Sequence, residues 1–427
     1  MITRLRAFAY RLLRRSEQWT KTDMIYFAKS VSWLTLGNGI SSVVVFLVAI
    51  AYANWLPRET YGTYRYILSI ASILGIISLR GHYTAVVQAV ARGYEGTLQA
   101  ANRARLAWSS IGSGVAILIA LYYQWLHNYP LAVGMVLVAL FLPWLESFTT
   151  FDALLQGRKN FSASARYQII GRLINGTLTI ITLFLTDNLY IVTLTYLVSW
   201  AGIRLFQHWY VMRHHQPNNL VDAPSLRFGF HLSINGVISS IANYLDQLLI
   251  FNLLGPIQLA VYSFALKPAD QLKSILRLVG DVALPKFASK KQQNVGAQIL
   301  KKALLFGAAI AVIVAIYIIA APWLFTLFFP QYQDATFYSQ LIAISLLSSP
   351  LFLIISYFQS RKMLKEIYTF NTSVAVIQIA MTLILIPLYG VFGAVIAKLL
   401  SRFVNLAVSL ILVKRAISTP DDAARDA

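Results

Sequence analysis

The chain contains no cysteine, which excludes disulfide bonds and cysteine metal sites. Acidic residues are also scarce, since 16 Asp and Glu stand against 36 Lys and Arg. Charged residues of both signs make up only 12% of the 427 residues, whereas soluble domains carry roughly a quarter. Long polar segments that could house a catalytic domain are missing as well.

Long apolar segments dominate what is present, because hydrophobic residues make up 58% of the chain. A membrane-spanning helix needs about 20 mostly apolar residues. Twelve segments meet this length: 31–53, 64–91, 105–126, 131–155, 166–186, 189–212, 228–254, 258–285, 303–329, 337–358, 367–388 and 391–413. The sequence therefore predicts an all-α polytopic membrane protein with twelve transmembrane helices.

Positive charge falls in every second gap between these segments. The chain ends and alternate links hold 26 of the 36 Lys and Arg, the other links hold only Arg58, and the remaining nine lie inside spans. Such alternation is the positive-inside pattern, so we expect both termini in the cytoplasm of a bacterial inner membrane. The net charge of +20 then indicates contact with anionic membrane lipids and no nucleic-acid partner. Residues 1–30 are predicted to form a basic amphipathic segment on the inner surface, or else a disordered basic tail.

Two polar signatures recur about 200 residues apart. Asn38-Gly39 matches Asn235-Gly236, and Gln156-Gly157-Arg158-Lys159 matches Gln359-Ser360-Arg361-Lys362. Parallel repeats of this kind indicate two six-helix lobes around a central pathway, although chance similarity between apolar helices is the alternative. The predicted divisions are an N-lobe at 31–212, a linker at 213–227, a C-lobe at 228–413 and a cytoplasmic tail at 414–427.

Cations inside the spans are the candidate binding residues, because a charge at mid-membrane is costly unless it faces protein or water. Arg65, Arg172 and Arg204 are near predicted span ends and can snorkel to the interface. Six cations are predicted to lie deeper: Arg80, Lys267, Lys273, Arg277, Lys398 and Arg402. Arginine forks and lysine point charges suit phosphate, so we expect these six to form a cationic lumen. Ion pairing within 267–281 is the structural alternative.

Carboxylates and amides accompany these cations. Asp246, Asp270 and Glu146 are candidate proton or cation sites. Asn38, Asn235 and Asn243 are predicted to face a wet lumen, with polar helix packing as the alternative. No nucleotide motif or metal-ligand cluster occurs, so no cofactor is expected.

Short motifs give the chain a family resemblance. They are Gln359-Ser360-Arg361-Lys362, the run Ile386-Pro387-Leu388-Tyr389-Gly390-Val391-Phe392-Gly393-Ala394, and Asn252-Leu253-Leu254-Gly255-Pro256 leading to Ala260 and Tyr262. With them the chain resembles bacterial polysaccharide flippases of the O-antigen type, within the multidrug, oligosaccharidyl-lipid and polysaccharide exporter superfamily. The resemblance implies two six-helix lobes in a V, with a lumen that opens alternately to each side. It implies lipopolysaccharide or other surface polysaccharide biosynthesis, with a polyprenyl-diphosphate oligosaccharide as substrate, H+ or Na+ as candidate coupling ions, and polysaccharide polymerase machinery as a candidate partner.

Two other functions stay open at this point. An ion-coupled multidrug antiporter of the same superfamily would be expected to carry acids in its lumen, whereas the spans hold nine cations and five acids. A membrane polysaccharide polymerase or ligase would need a sizeable outer loop, and every predicted outer link is short. We therefore expect a flippase that has no enzymatic activity.

Overall fold

The computed structural model describes residues 24–288, 295–352, 354–355 and 364–418. These ranges contain helices, turns and short links but no β-strand. The helices are α1 Met24–Trp55, α2 Arg58–Leu74, α3 His82–Ala91, α4 Thr97–Trp125, α5 Tyr129–Ser147, α6 Phe151–Gly157, α7 Phe161–Leu185, α8 Leu189–His215, α9 Ala223–Leu254, α10 Pro256–Ala288, α11 Val295–Phe328, α12 Ala335–Ile344 and α13 Leu364–Ser418. The predicted amphipathic helix near the N-terminus, the 359–362 motif and the end of the predicted tail lie outside the described residues.

Side-chain caps fix several helix starts in the chain's short links. The side chains of Asn128, Asn160, Asn188 and Asp222 accept hydrogen bonds from the first-turn amides of α5, α7, α8 and α9. These bonds satisfy amides that have no partner inside the helix. These links therefore begin each following helix at a defined residue.

The predicted span at 64–91 is not one helix. Residues 75–81 form a series of turns that separates α2 from α3, and Leu79 has a positive φ of 54°. Arg80, predicted to lie deep within a helix, sits in this break. The segment 131–155 is also interrupted, by a 3-10 turn at Phe148–Thr150 between α5 and α6. In α13 the helix kinks at Gly390 (φ 60°, ψ −136°), the point that separates predicted spans eleven and twelve.

Much of the helix surface is apolar. Seven helices within the described residues are long and apolar enough to cross a membrane. Large hydrophobic side chains are exposed along α4, α7 and α11, among them Trp125, Phe184 and Trp323. A chain with such a surface is a multi-pass membrane protein. The count of twelve spans stays a prediction. For example, α10 carries too many charged residues for its composition to indicate a membrane span, and the predicted span at 64–91 is broken into α2 and α3.

An aromatic cluster joins the two halves of the chain at one end. Tyr61 of α2 packs against Phe264 of α10 with ring centroids 4.8 Å apart, and Tyr332 stacks on Phe264 at 3.9 Å. The backbones also meet closely here, because a Cβ atom at Gly62 would lie 1.9 Å from the carbonyl oxygen of Pro256. Sequence positions 200 residues apart are thereby fixed in one core.

The segment between α8 and α9 is tied to the links at 92–96 and 158–160. Arg158 forms a bidentate ion pair with Glu95, with N–O distances of 2.6 and 2.7 Å, and donates to the carbonyl of His215. The amide of Asn218 donates to Glu95. The Arg158 hydrogen bonds hold the pKa of the Glu95 carboxyl below its ordinary value of 4.5. The predicted linker at 213–227 thus includes the last turn of α8 and the first turn of α9, with an anchored non-helical segment between them.

Candidate functional site

A cavity of about 690 Å³ lies between α9, α10 and α13, with α1, α2 and the α2–α3 break completing its wall. Among the described residues, six cations and one carboxylate, that of Asp270, line this cavity. The cations are Arg65, Arg80, Lys267, Lys273, Lys398 and Arg402. Asn243 also lies in the wall. We call this space the large cavity.

One counter-ion of the large cavity lies behind its wall. Asp246, buried on α9, forms an ion pair with Lys398 of α13 at 2.7 Å. The hydroxyl of Tyr262 donates a second hydrogen bond to the same carboxylate oxygen at 2.5 Å. A buried carboxylate needs such partners, since desolvation of an unpaired charge is costly. Asp246 therefore holds the Lys398 ammonium at the cavity wall.

A second ion pair crosses the same cavity. Arg402 of α13 pairs with Asp270 of α10 at 3.3 Å and donates to the hydroxyl of Ser345 at 2.6 Å. An ion pair of Asp270 with Lys273, within α10, is the structural alternative and stays a prediction. The ion pair of Asp270 with Arg402 links two helices across the large cavity.

Lys267 is held by aromatic rings. Its ammonium lies 4.0 Å from the ring centroid of Phe264, 4.9 Å from that of Tyr61 and 5.5 Å from that of Tyr52. Among the described residues no carboxylate lies within 4.0 Å of it. Cation–π contacts are worth about 0.5–2 kcal/mol, and they supply no negative counter-charge to the Lys267 ammonium.

A second cavity of about 330 Å³ lies between α2, α5, α8 and α9, and we call it the arginine cavity because Arg65, Arg80 and Arg204 line it. Arg80 forms a forked ion pair with Glu146, with N–O distances of 3.0 and 3.3 Å. The almost fully buried Arg105 approaches the same carboxylate at 3.8 Å. The single carboxylate of Glu146 therefore neutralises only part of the positive charge of the arginines around it.

Arg65 is the residue that sequence reasoning missed most clearly. It lines both named cavities and a third, of about 230 Å³, that reaches Arg172. It donates to the side chain of Gln247 at 3.1 Å. Sequence reasoning discounted it as a residue that can snorkel from a span end, but α2 begins at Arg58 and places Arg65 two turns inside the helix. Arg204 was discounted on the same ground, and it too lines a cavity and lies over the ring of Trp200.

The structure brings most of the predicted site residues together. Arg80, Lys267, Lys273, Lys398, Arg402, Asp270 and Asn243 line the large cavity, Glu146 lines the arginine cavity, and Asp246 lies behind the wall. Asn235 is exposed on α9 and lines none of the three cavities. The side chains of Arg277 and Asn38 lie outside the described residues. The helix α10, which carries Arg277, has no break to match the one that holds Arg80.

The fold and the site define a multi-pass helical membrane protein built around charged internal cavities, and comparisons with known proteins give its family. The family model described as polysaccharide biosynthesis protein matches residues 27–291. The chain therefore belongs to the polysaccharide biosynthesis protein family. A search among curated proteins finds no match.

Solved structures of low sequence identity share the fold. The lipid II flippase MurJ, in an inward closed conformation, has a TM-score of 0.73 at 12% identity, covering 89% of this chain and 87% of that one. An inward-facing multidrug resistance MATE family transporter of the MOP superfamily has a TM-score of 0.62 at 13% identity, covering 88% and 94%. A MOP superfamily transporter from Pyrococcus furiosus, described as having a binding pocket of reverse polarity, has a TM-score of 0.61 at 16% identity, covering 91% and 96%. The fold is that of MOP transporters.

Proposed function

We propose that the protein is a flippase that moves a polyprenyl-diphosphate-linked oligosaccharide from the inner to the outer leaflet of the bacterial cytoplasmic membrane, for surface polysaccharide biosynthesis. The observation that carries the proposal is the wall of the large cavity, where six cations face one carboxylate. Diphosphate is the part of such a lipid that most needs this environment, because its charge must leave water while the tail stays in the bilayer. Family membership and the flippase fold support the same function.

Transport would proceed by alternating access, with the large cavity opening to one side of the membrane at a time. The three acidic candidates for ion coupling each pair with a cation: Asp246 with Lys398, Asp270 with Arg402 and Glu146 with Arg80. A proton or Na+ that binds one of these carboxylates releases the cation beside it. That cation then becomes available to the diphosphate, which is how ion binding and substrate binding would be coupled.

The test is complementation of a deletion strain with single-charge variants. Lys267→Met removes a cation of the large cavity that has no carboxylate partner in the described chain, and Arg103→Met removes an exposed cation of α4 as the matched control. Loss of one charge-assisted contact is worth about 1.5–3 kcal/mol, so Lys267→Met should lower the export rate at least about tenfold. The readouts are surface polysaccharide and lipid-linked oligosaccharide retained on the inner leaflet. Normal export by Lys267→Met at wild-type protein level would overturn the proposal.

An ion-coupled multidrug antiporter is the second candidate, favoured by the shared fold with MATE family transporters. Organic cations would meet a wall of six positive charges, which repels them. Efflux of a cationic dye by the purified protein in vesicles, abolished by Asp246→Asn and insensitive to Lys267→Met, would establish this function in place of lipid export.

A further inference from the structure

The arginine cavity differs in chemistry from the large cavity beside it. Tyr196 and Trp200 lie one turn apart on α8, and Tyr244 reaches the same space from α9. Trp200 carries the Arg204 guanidinium over its ring at 5.1 Å from the centroid. Aromatic rings held in place by neighbours are the surfaces on which the C–H faces of sugars pack.

Among the described residues that line the arginine cavity are three arginines and one carboxylate, and the ion pair between two of these groups can serve sugar hydroxyls. The forked pair of Arg80 and Glu146 is partly exposed, with 43% and 17% of the side chains accessible, so it presents both donors and acceptors. Ser72 adds a hydroxyl to the wall. A phosphate group can only accept hydrogen bonds and is repelled by the carboxylate, whereas a sugar hydroxyl both donates and accepts.

The position of the cavity identifies which sugar it would hold. Arg65, Arg80 and Tyr244 line both the arginine cavity and the large cavity, so the two spaces adjoin, and the sugar bonded to a diphosphate in the large cavity would lie next to the arginine cavity. A volume of about 330 Å³ is near the lower end of small-ligand pockets, which run roughly from 300 to 1,000 Å³. This space suits one sugar unit at the head of the chain rather than a whole oligosaccharide.

We infer that the arginine cavity is the recognition subsite for the sugar directly bonded to the diphosphate, with Trp200, Tyr196 and Tyr244 as its apolar surface and Glu146 and Arg80 as its hydroxyl partners. The inference rests on the proposed function. The large cavity then binds the diphosphate, which all such lipids share. The arginine cavity discriminates between these lipids by the sugar bonded to the diphosphate.

The test compares two probes on the purified full chain in detergent: a polyprenyl diphosphate, and the same lipid bearing one N-acetylhexosamine. Binding is measured from the rise in melting temperature that each lipid produces as its concentration increases. Unfolding is followed by a signal other than tryptophan fluorescence, because the variants at position 200 lack a tryptophan. Wild-type protein should bind the sugar-bearing lipid about 2- to 12-fold more tightly than the sugarless one. Trp200→Leu should abolish this difference while leaving affinity for the sugarless lipid unchanged, and Trp200→Phe should retain most of it. Ser72→Leu, which occupies the cavity without altering charge, should act like Trp200→Leu even where the tryptophan variant is unstable.

The outcomes separate the two proposals. Equal binding of both lipids by the wild type, or an equal loss for both in Trp200→Leu and Ser72→Leu, would overturn the sugar subsite and leave the flippase proposal standing. Lys267→Met should weaken both lipids alike. Failure of the wild type to bind either lipid would overturn the proposed function itself.

Discussion

The buried ion pair of Asp246 and Lys398 gives the sharpest stability prediction. Asp246→Asn keeps the size of the side chain and removes its charge. Lys398 then faces the large cavity without its counter-ion, and the hydroxyl of Tyr262 keeps only a neutral acceptor. The change therefore isolates the electrostatic contribution of one carboxylate.

The magnitude follows from burial. Removal of one partner from a fully buried pair costs about 3–5 kcal/mol. Asp246 is 5% exposed, but Lys398 is 17% exposed and lines a cavity that admits water, so we expect about 2–3 kcal/mol. Asp246→Asn with Lys398→Met removes the stranded charge and should recover most of that loss. Asp270→Asn is the matched control, because Asp270 is 54% exposed and its pair with Arg402 should be worth less than about 1 kcal/mol.

The assay is reversible unfolding in mixed detergent micelles, with the free energy of unfolding measured for both single variants of the pair, the double variant and the control. A double-mutant cycle then gives the coupling free energy between residues 246 and 398, which we expect to be about 2 kcal/mol. A coupling near zero, or an Asp270→Asn cost equal to that of Asp246→Asn, would refute the argument that burial sets the strength of these pairs.

Three further changes are expected to alter stability. Gly62→Ala should cost about 1–3 kcal/mol by unfolding titration, because the new Cβ meets the carbonyl of Pro256, whereas Gly114→Ala on an open face of α4 should stabilise by about 0.5–1 kcal/mol. Gly390→Ala should cost about 1–3 kcal/mol in the same titration, because its positive φ strains any side chain. The depressed pKa of Glu95 stabilises the fold above the ordinary value of 4.5, and this contribution should disappear as pH falls through the lower folded pKa. Melting temperatures against pH should show that loss in the wild type and less of it in Glu95→Gln.

Each expectation has a result that contradicts it. Equal stabilities for the alanine variants at positions 62 and 114 would mean that the two backbones do not meet closely. A neutral substitution at Gly390 would remove the argument from backbone strain. The same pH dependence in wild type and Glu95→Gln would show that other groups control acid stability.

Sequence reasoning went furthest where depth along a helix matters. Lys267, Lys398 and Arg402 lie near the middle of predicted spans, and a costly charge there has to face protein or water. The structure places all three in the wall of the large cavity. Their role in substrate binding stays a prediction.

Reasoning failed where a helix start decides the depth of a residue. Assigning a span start at 64 left Arg65 at an interface, yet Pro57 precedes a helix that begins at Arg58. Arg105 stood at the start of a predicted span, but α4 begins at Thr97 and carries it about 12 Å into the helix. A hydropathy pattern detects the apolar residues of a helix but not its polar first turns. The predicted span is therefore shorter than the helix.

Pairing partners could not be predicted from the sequence. Asp246 and Lys398 are 152 positions apart, and Asp270 has nearer cations than Arg402 in the chain. Only the packing of α9, α10 and α13 decides which charges meet. The break at 75–81 is equally a tertiary feature, since Gly75 lies where a side chain would meet Arg80 and Glu146.

The break between α2 and α3 divides one predicted span between two contact regions. The α2 portion packs against α10 and the second half of α9, while α3 packs against α6 and the first half of α9. A continuous rod would transmit any tilt at one end to the other. Two short helices joined by turns do not transmit tilt in this way. The two contact regions can therefore tolerate sequence change independently, while Arg80 in the break stays paired with Glu146.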